Sequence, residues 1–179
     1  MAMFKHTGIV RRIDDIGRIV IPKEVRRRFH LHDGDPIEIG ESENMIALRK
    51  YSILDLFNET SQKLMMCFSK VTDMPVILCN TTHTLYSTMY NFSFSSAAET
   101  FNNVLITDEL AKAIRDKNSN CIGLKISNNA ECTAAFVEKV VIKGVAEGAL
   151  VIPATEKEIT NEHRICLRLC AAAIASIAA

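Results

Sequence analysis

The sequence lacks the features by which membrane, secreted and strongly charged proteins are recognised. Its 179 residues carry a formal net charge of zero, so no overall field directs it to nucleic acid or to a lipid surface. Its six cysteines form no CxxC pair, and its beginning, MAMFKHTG, lacks the apolar core of a secretory signal. The most apolar segment, CAAAIASIAA, is shorter than the roughly 18 residues of a membrane span. We therefore expect a cytoplasmic protein with no membrane contact.

Patterns typical of catalysis are also missing from the sequence. We find no Ser-His-Asp order, no glycine-rich phosphate loop and no paired carboxylates in a recognisable frame. His163, Cys166 and Cys170 have a helical spacing that metal ligands can use. Free cysteines more often fill a core, however, and no fourth ligand lies nearby, so packing is the favoured interpretation. We expect neither an enzyme nor a metal site, and the sequence identifies no cofactor.

The charge that is present is unevenly distributed. Residues 1–30 hold eight lysines and arginines against three acidic residues, a local excess of five positive charges. Six of these eight are arginines, whose planar guanidinium suits bidentate binding to phosphate or to guanine edges. The neutral average therefore hides a basic N-terminal segment.

The first fifty residues have the pattern of a small ββαββ unit. Two segments rich in β-branched residues flank the turn sequence DDIG, Pro22 precedes a helix, and a second strand pair follows. So short a unit with one small helix buries too little surface to be stable alone, which favours a homodimer with a shared core. The predicted strands are 6–14, 18–21, 36–40 and 45–51, and the predicted helix is 23–31.

The helix at 23–31 places apolar and cationic residues on opposite faces. Val25 and Phe29 form the apolar stripe, and an ion pair between Glu24 and Arg28 is expected across one turn. The outward cations are Lys23, Arg26 and Arg27, while Arg11, Arg12 and Arg18 flank the hairpin turn. A charge run is usually only a solvated face. A two-fold axis would, however, double these charges into one surface, which fits the anionic lattice of duplex DNA.

The run HTGIVRRIDDIGRIVIPKEVRRRF resembles the N-terminal DNA-binding domain of the AbrB-type transition-state regulators. The resemblance implies that residues 1–52 form a swapped-hairpin β-barrel dimer. The DNA contacts that it implies are Arg11, Arg18, Arg26 and Arg27, with Arg12 beside them. Lys23, which the helix pattern selects, falls at a position that varies in the family.

The second half, 53–179, has the pattern of an antiparallel sheet flanked by helices, so the whole chain is predicted to be α+β. In some AbrB-type regulators the second domain is GAF-like, and the predicted αββααβββα order is compatible with a GAF-like sensory or oligomerisation domain. The signature of cyclic-nucleotide GAF domains is absent, so any small-molecule ligand stays unidentified. Helices are predicted at 53–71, from 96, at 107–117 and at 160–179, and strands at 75–81, 84–89, 121–127, 133–142 and 148–154.

The last predicted helix is apolar nearly all round after Arg168. Such a helix is expected to be buried on more than one side, with Ile174 and Ile177 packing between alanines. Packing on its own sheet, together with Ile53, Phe57, Leu64 and Phe68, is the alternative. The family resemblance implies a tetramer built from two dimers through the second domains.

The basic segment and the family resemblance together predict a sequence-selective, DNA-binding transcription regulator, and the resemblance implies that it acts on sporulation or transition-state genes. An antitoxin is the alternative, because related swapped-hairpin domains serve beside short disordered tails that wrap a toxin. A second half of about 125 residues, rich in apolar segments, argues against such a tail.

Overall fold

The computed structural model describes residues 7–88, 101–116, 121–128 and 132–179. The start of the helix predicted from residue 96 lies outside these residues. The described part mixes helices with antiparallel sheets. Its elements are α1 Lys23–Arg28, β1 Ile37–Ser42, β2 Met45–Lys50, α2 Ile53–Leu56, α3 Asn58–Thr72, β3 Ile77–Asn80, β4 Thr84–Ser87, α4 Asp108–Arg115, β5 Ala134–Ile142, β6 Val145–Pro153 and α5 Asn161–Ile177.

The larger sheet is antiparallel and has the strand order β4-β3-β6-β5. Its longest strands, β5 and β6, form a hairpin in which Ile142 pairs with Val145. The two residues between them, Lys143 and Gly144, both have positive φ, 49° and 82°. Such a turn matches the right-handed twist of the flanking strands and therefore closes the hairpin tightly. The smaller sheet is the predicted hairpin β1-β2, in which Ile39 pairs with Leu48.

Helices cover both faces of the larger sheet because side chains alternate along its central strands. Leu78 and Leu150 face α3 and α5, whereas their neighbours Ile77 and Val151 face α4. The first core also contains Met65, Phe68, Leu167 and Ile174, and the second contains Leu110, Ala111 and Ile114.

Two predictions for the second half need correction. The single helix predicted at 53–71 is two helices, because the backbone at Phe57 (φ −105°, ψ 20°) leaves the helical conformation between them. Before this bend, Leu54 is buried against β6 beside Gly148, and at the other end of α3 Val71 is exposed. In the strand predicted at 121–127, the described pairing consists only of the isolated bridges of Lys125 with Thr133 and Ser127 with Ile106.

The segment 7–22 also differs from its prediction, because it contains no β-strand. Two stretches without regular secondary structure, which we call the arms, meet at a turn in which the Arg18 amide donates to Asp14 Oδ1 (2.7 Å) and the Asp14 amide donates to the Arg18 carbonyl (3.1 Å). A strand needs a neighbour for its backbone hydrogen bonds, and none of the strands among the described residues pairs with these arms. They expose Ile9, Val10, Ile13, Ile16, Ile19 and Val20.

The C-terminal helix corrects the prediction for Ile174. Its side chain is only 1% exposed and packs in the core of its own domain, so it is not free to pack against another chain. Ile177 is partly exposed. An apolar stripe at i, i+4 and i+7, formed by Ile165, Leu169 and Ala172, faces outward instead.

Candidate nucleic-acid interface

Helix α1 carries the consecutive arginines and is shorter than predicted. Pro22 precedes it in an extended conformation, and the helix ends before Phe29. His30 has a positive φ of 52°, while the amides of His30 and Leu31 donate to the carbonyls of Arg27 (3.1 Å) and Arg26 (2.8 Å). This Schellman arrangement satisfies the last carbonyls and reverses the chain. The position usually takes glycine, so sequence reasoning extended the helix through His30.

The three arginines of α1 lie in three different environments. Arg27 is exposed, and among the described residues its side chain makes no ion pair or hydrogen bond. Arg26 is 42% exposed and its guanidinium lies 3.0 Å from the carboxylate of Asp33. Arg28 lies over the ring of Phe29, 5.8 Å from its centroid, and the predicted pair with Glu24 does not form. Lys23, in the first turn, is exposed.

The predicted arginines of the arms are exposed around the turn. Arg18 pairs with Asp14, with 2.7 Å between Nε and Oδ2. Hydrogen bonds from the Arg18 backbone and side chain lower the pKa of Asp14, so this carboxylate orients Arg18 while staying ionised. Arg11 donates to the carbonyl of Val10 (3.0 Å), and Arg12 is exposed to solvent.

A buried histidine joins the end of α1 to the second half of the chain. His30 Nε2 lies 3.1 Å from the carbonyl oxygen of Ile106, and its Nδ1 lies 3.1 Å from Asp108 Oδ1. Burial lowers the pKa of His30, outweighing that carbonyl and the Asp108 carboxylate, which favour the protonated form. Arg115 donates to the His30 carbonyl (2.8 Å) and lies 3.0 Å from the His32 ring nitrogen Nδ1. These contacts fix the position of α1 relative to α4.

This junction brings cations of α4 close to those of α1. A cleft of about 440 Å³ between the two helices is lined by Lys23, Arg26 and Arg27 from α1, and by Lys112 and Arg115 from α4. We call it the interdomain cleft. Sequence reasoning missed Lys112 and Arg115 because an amphipathic helix normally carries such residues on its solvent face, and no local signal links α4 to α1.

An apolar groove lies on the other side of α1. Its volume is about 430 Å³. The smaller sheet contributes Ile37 and Leu48, while Thr82, His83 and Leu105 belong to the second half of the chain. We call this the apolar groove, and its remaining apolar lining consists of Ile21, Val25, Phe29 and Leu31.

The residues considered as metal ligands have structural roles. His163 Nδ1 accepts a hydrogen bond from the Thr160 amide (3.2 Å) and completes the capping box of α5. Cys170 is buried in the first core, and the partly buried Cys166 packs against that core. Within the described ranges, no three potential metal ligands gather in one place. No helix in the same ranges has the length and apolar character to cross a membrane.

Comparison with known proteins finds a family match in the first third of the chain. Residues 10–53 match the family described as "Antidote-toxin recognition MazE, bacterial antitoxin". Stage V sporulation protein T of Bacillus subtilis (strain 168) is 57% identical over 49 residues, 27% of this chain and 28% of that protein. From the same organism, the transition state regulatory protein AbrB is 47% identical over 47 residues, which cover 26% of this chain and 49% of AbrB.

A third protein of that organism, the putative transition state regulator Abh, is 43% identical over 47 residues, 26% of this chain and 51% of Abh. The chain thus matches between about a quarter and half of the length of these relatives. The matches confirm the family resemblance predicted from the basic segment.

Proposed function

Because its N-terminal region is a MazE/AbrB-type domain, we propose that the protein is a cytoplasmic, sequence-selective DNA-binding transcription regulator of sporulation or transition-state genes, and not an enzyme. Two of its relatives are named transition state regulators and a third is named a sporulation protein. The observation that carries the proposal is a set of exposed or half-exposed cations within the matched region. This basic surface consists of Arg11, Arg12, Arg18, Lys23, Arg26 and Arg27.

The environment of the basic surface favours a large anionic partner. Asp14 and Asp33 orient Arg18 and Arg26, but both carboxylates are themselves accessible and leave donors of each guanidinium unused. Arg27 and Lys23 have no partner among the described residues. Unneutralised cations that lie close together favour binding to a polyanion such as DNA, because each phosphate contact releases condensed counterions from the DNA.

The arms of 7–22 support the homodimer that we propose for residues 1–52. Six large apolar side chains are exposed there, and Ile21 at the end of the same segment lines the apolar groove together with Val25, Phe29 and Leu48. So many exposed apolar side chains in one short segment favour an association surface. Arms of a second copy, exchanged as hairpins, would supply both the missing strand neighbours and the missing core. Dimerisation would also place two basic surfaces on one DNA duplex.

For residues 53–179 we propose a GAF-like sensory or oligomerisation domain. The sheet covered by helices on both faces supports this arrangement. The outward stripe of Ile165, Leu169 and Ala172 on α5 supports pairing of two dimers into a tetramer through this domain. A small molecule of unidentified class would be the signal that it senses.

Selection from a pool of random duplexes tests the proposed function. The intact protein is immobilised at about physiological salt and the bound DNA is amplified over several rounds. We expect one short motif with two-fold symmetry to be enriched. The double variant Arg11→Ala and Arg27→Ala, carried through the same rounds, is expected to enrich nothing. Failure of the intact protein to retain or enrich any duplex would contradict the proposal.

An antitoxin is the second candidate, because the matched family is described as a bacterial antitoxin. The described part of residues 53–179 forms a packed sheet with two cores, which differs from the disordered tails that wrap a toxin. Expression of the tagged chain in its own host separates the two candidates. A small protein that co-purifies in stoichiometric amount, and whose toxicity the chain suppresses, would favour the antitoxin.

A further inference from the structure

The interdomain cleft combines cations from two parts of the chain that lie more than 80 residues apart. Its α1 wall belongs to the MazE/AbrB-type domain, and its α4 wall belongs to the second half. Lys112 and Arg27 are both exposed, and neither side chain has an ion pair among the described residues. The cleft is therefore continuous with the basic surface and extends it onto the second half of the chain.

The floor of the cleft is held by buried contacts. His30 bridges the Ile106 carbonyl and Asp108, while Arg115 bridges the His30 carbonyl and the His32 ring. These contacts connect both ends of α4 to the residues that end α1. The two walls are thus held in place before any ligand binds, which reduces the ordering cost of binding.

The charges in the cleft are unbalanced. Five lysines and arginines line it against two carboxylates, those of Asp33 and Asp108. One carboxylate pairs with Arg26 and the other contacts His30, so neither neutralises Lys112. The five cations line a single cleft of about 440 Å³, so their fields add within it and attract an anionic ligand.

We propose that the interdomain cleft binds the phosphodiester backbone of the DNA that the basic surface contacts, and that Lys112 is a DNA-contacting residue of the second domain. The inference rests on the proposed function and deepens it. DNA binding is then not confined to residues 1–52. Any signal that moves α4 relative to α1 changes the number of phosphate contacts, which gives the second domain a direct physical means of regulating affinity.

The lining of the cleft favours a backbone phosphate over a free nucleotide. No phenylalanine or tyrosine lines the cleft, and of its two histidine rings His30 is buried and His32 contacts Arg115. Its five lysine and arginine side chains outnumber its two carboxylates, and such charged nitrogen donors suit phosphate oxygens and carry no base preference. Lys23, Arg26 and Arg27 belong both to this lining and to the basic surface, so a duplex lying on α1 brings its phosphates to the opening.

A salt titration of DNA binding with matched lysine variants tests this inference in the full chain. Lys112→Gln removes the charge from an exposed position of α4 and keeps a good helix former. Lys63→Gln is the control, because Lys63 is also exposed on a helix but lies on α3, which covers the opposite face of the sheet. The probe is a 30-base-pair duplex of random sequence, and anisotropy gives the affinity at several salt concentrations.

For a dimer on DNA, Lys112→Gln removes two phosphate contacts. The slope of log affinity against log salt is therefore expected to flatten by about 2, with a similar loss on every duplex sequence. Lys63→Gln is expected to retain the slope of the unmodified protein. Equal slopes for Lys112→Gln, Lys63→Gln and the unmodified protein would overturn the inference.

The Arg27→Ala variant separates this inference from the proposed function. If Arg27→Ala flattens the slope and Lys112→Gln does not, DNA binding stands and the cleft has no part in it. If the unmodified protein binds the duplex without salt dependence, or not at all, the proposed function fails and the inference fails with it.

Discussion

The three arginines of α1 are chemically identical but have different opportunities to contact a ligand. Arg27 is exposed, Arg26 is partly engaged by Asp33, and Arg28 covers the ring of Phe29. Since an exposed ion pair contributes little to stability, Arg26 can exchange Asp33 for a phosphate at small cost. The order in which these residues contribute to DNA binding is therefore set by geometry rather than by charge.

We expect Arg27→Ala to weaken DNA binding and Arg28→Ala to weaken it much less. Each Arg27→Ala dimer loses two phosphate contacts, so the salt slope should flatten by about 2. Arg28→Ala loses a cation–π contact worth roughly 0.5–1 kcal/mol at an exposed site, which affects stability rather than binding. Anisotropy titrations of both variants give the comparison, and equal losses in binding would contradict this assignment.

His30 makes the stability of the junction depend on pH. In the folded state, burial lowers the pKa of His30 below its ordinary value, and the nearby Arg115 and His32 lower it further. The Ile106 carbonyl and Asp108 raise this pKa but do not offset the effect of burial. The unfolded histidine has a pKa of about 6.5, so below that pH the unfolded state binds more protons. The stabilising contribution of neutral His30 is thus complete above about pH 6.5 and is lost as the pH falls towards the folded pKa.

We expect the free energy of unfolding to fall between about pH 7 and pH 5, and to fall less steeply in His30→Gln. Burial also lowers the pKa of His83, with the opposing effect of Asp55, so part of the dependence should persist in that variant. Urea denaturation at a series of pH values measures the free energy of unfolding of the unmodified protein and of His30→Gln as a function of pH. Parallel curves for the variant and the unmodified protein would show that His30 does not titrate with unfolding.

At the scale of the elements, the arms of 7–22 are the part that a single chain leaves incomplete. Val10 is 81% exposed in the single chain and Val71, on α3, is 78% exposed. If the arms are exchanged between copies, Val10 becomes part of a shared core while Val71 stays in solvent. Two valines of nearly equal exposure therefore respond differently to the same substitution.

We expect Val10→Glu to dissociate the dimer and Val71→Glu to leave it intact. Burying a carboxylate without a partner in the shared core is costly, whereas an exposed one is tolerated. The fragment 1–52 is likewise expected to sediment as a dimer and to lose its structure on dilution. Sedimentation of Val10→Glu and Val71→Glu in the full chain measures whether each variant is a monomer or a dimer. A folded, monomeric 1–52 fragment would rule out a shared core.

The elements predicted best from the sequence are those with strong periodicity. Hairpin β1-β2 was predicted within two residues of its bounds, and helix α4 was predicted from the capping residue Thr107 onward. The break at Phe57 and the reversal at His30 were missed, since both depend on tertiary packing rather than on a turn residue. Lys112 was missed for a related reason, because periodicity assigns it to solvent and cannot indicate which helix it will face.

At the scale of the whole molecule, α5 has one face in the core of the second half of the chain and another face exposed to solvent. Ile174 is 1% exposed and contributes to the core, whereas Leu169 on the same helix is 66% exposed. Sequence periodicity could not distinguish these roles, because both residues lie in a helix that is apolar nearly all round. Because Ile174 is buried, the assembly that we propose would have to use the exposed stripe that contains Leu169.

We expect Leu169→Glu to convert a tetramer into a dimer without changing the stability of the second domain. Ile174→Glu is expected instead to destabilise that domain by several kcal/mol, because it buries an unpaired charge. Light scattering at micromolar concentration gives the assembly, and thermal unfolding gives the stability. Light scattering that shows only a dimer for the unmodified chain would contradict the proposed assembly through α5.

The specificity ratio of the intact protein tests the central claim most directly. Affinity is measured by anisotropy at about 0.15 M salt for the duplex enriched by selection and for a shuffled duplex of the same composition. A sequence-selective regulator is expected to bind the first at least roughly a thousandfold more tightly than the second. Equal affinities for the two duplexes, or no binding to either, would contradict the account.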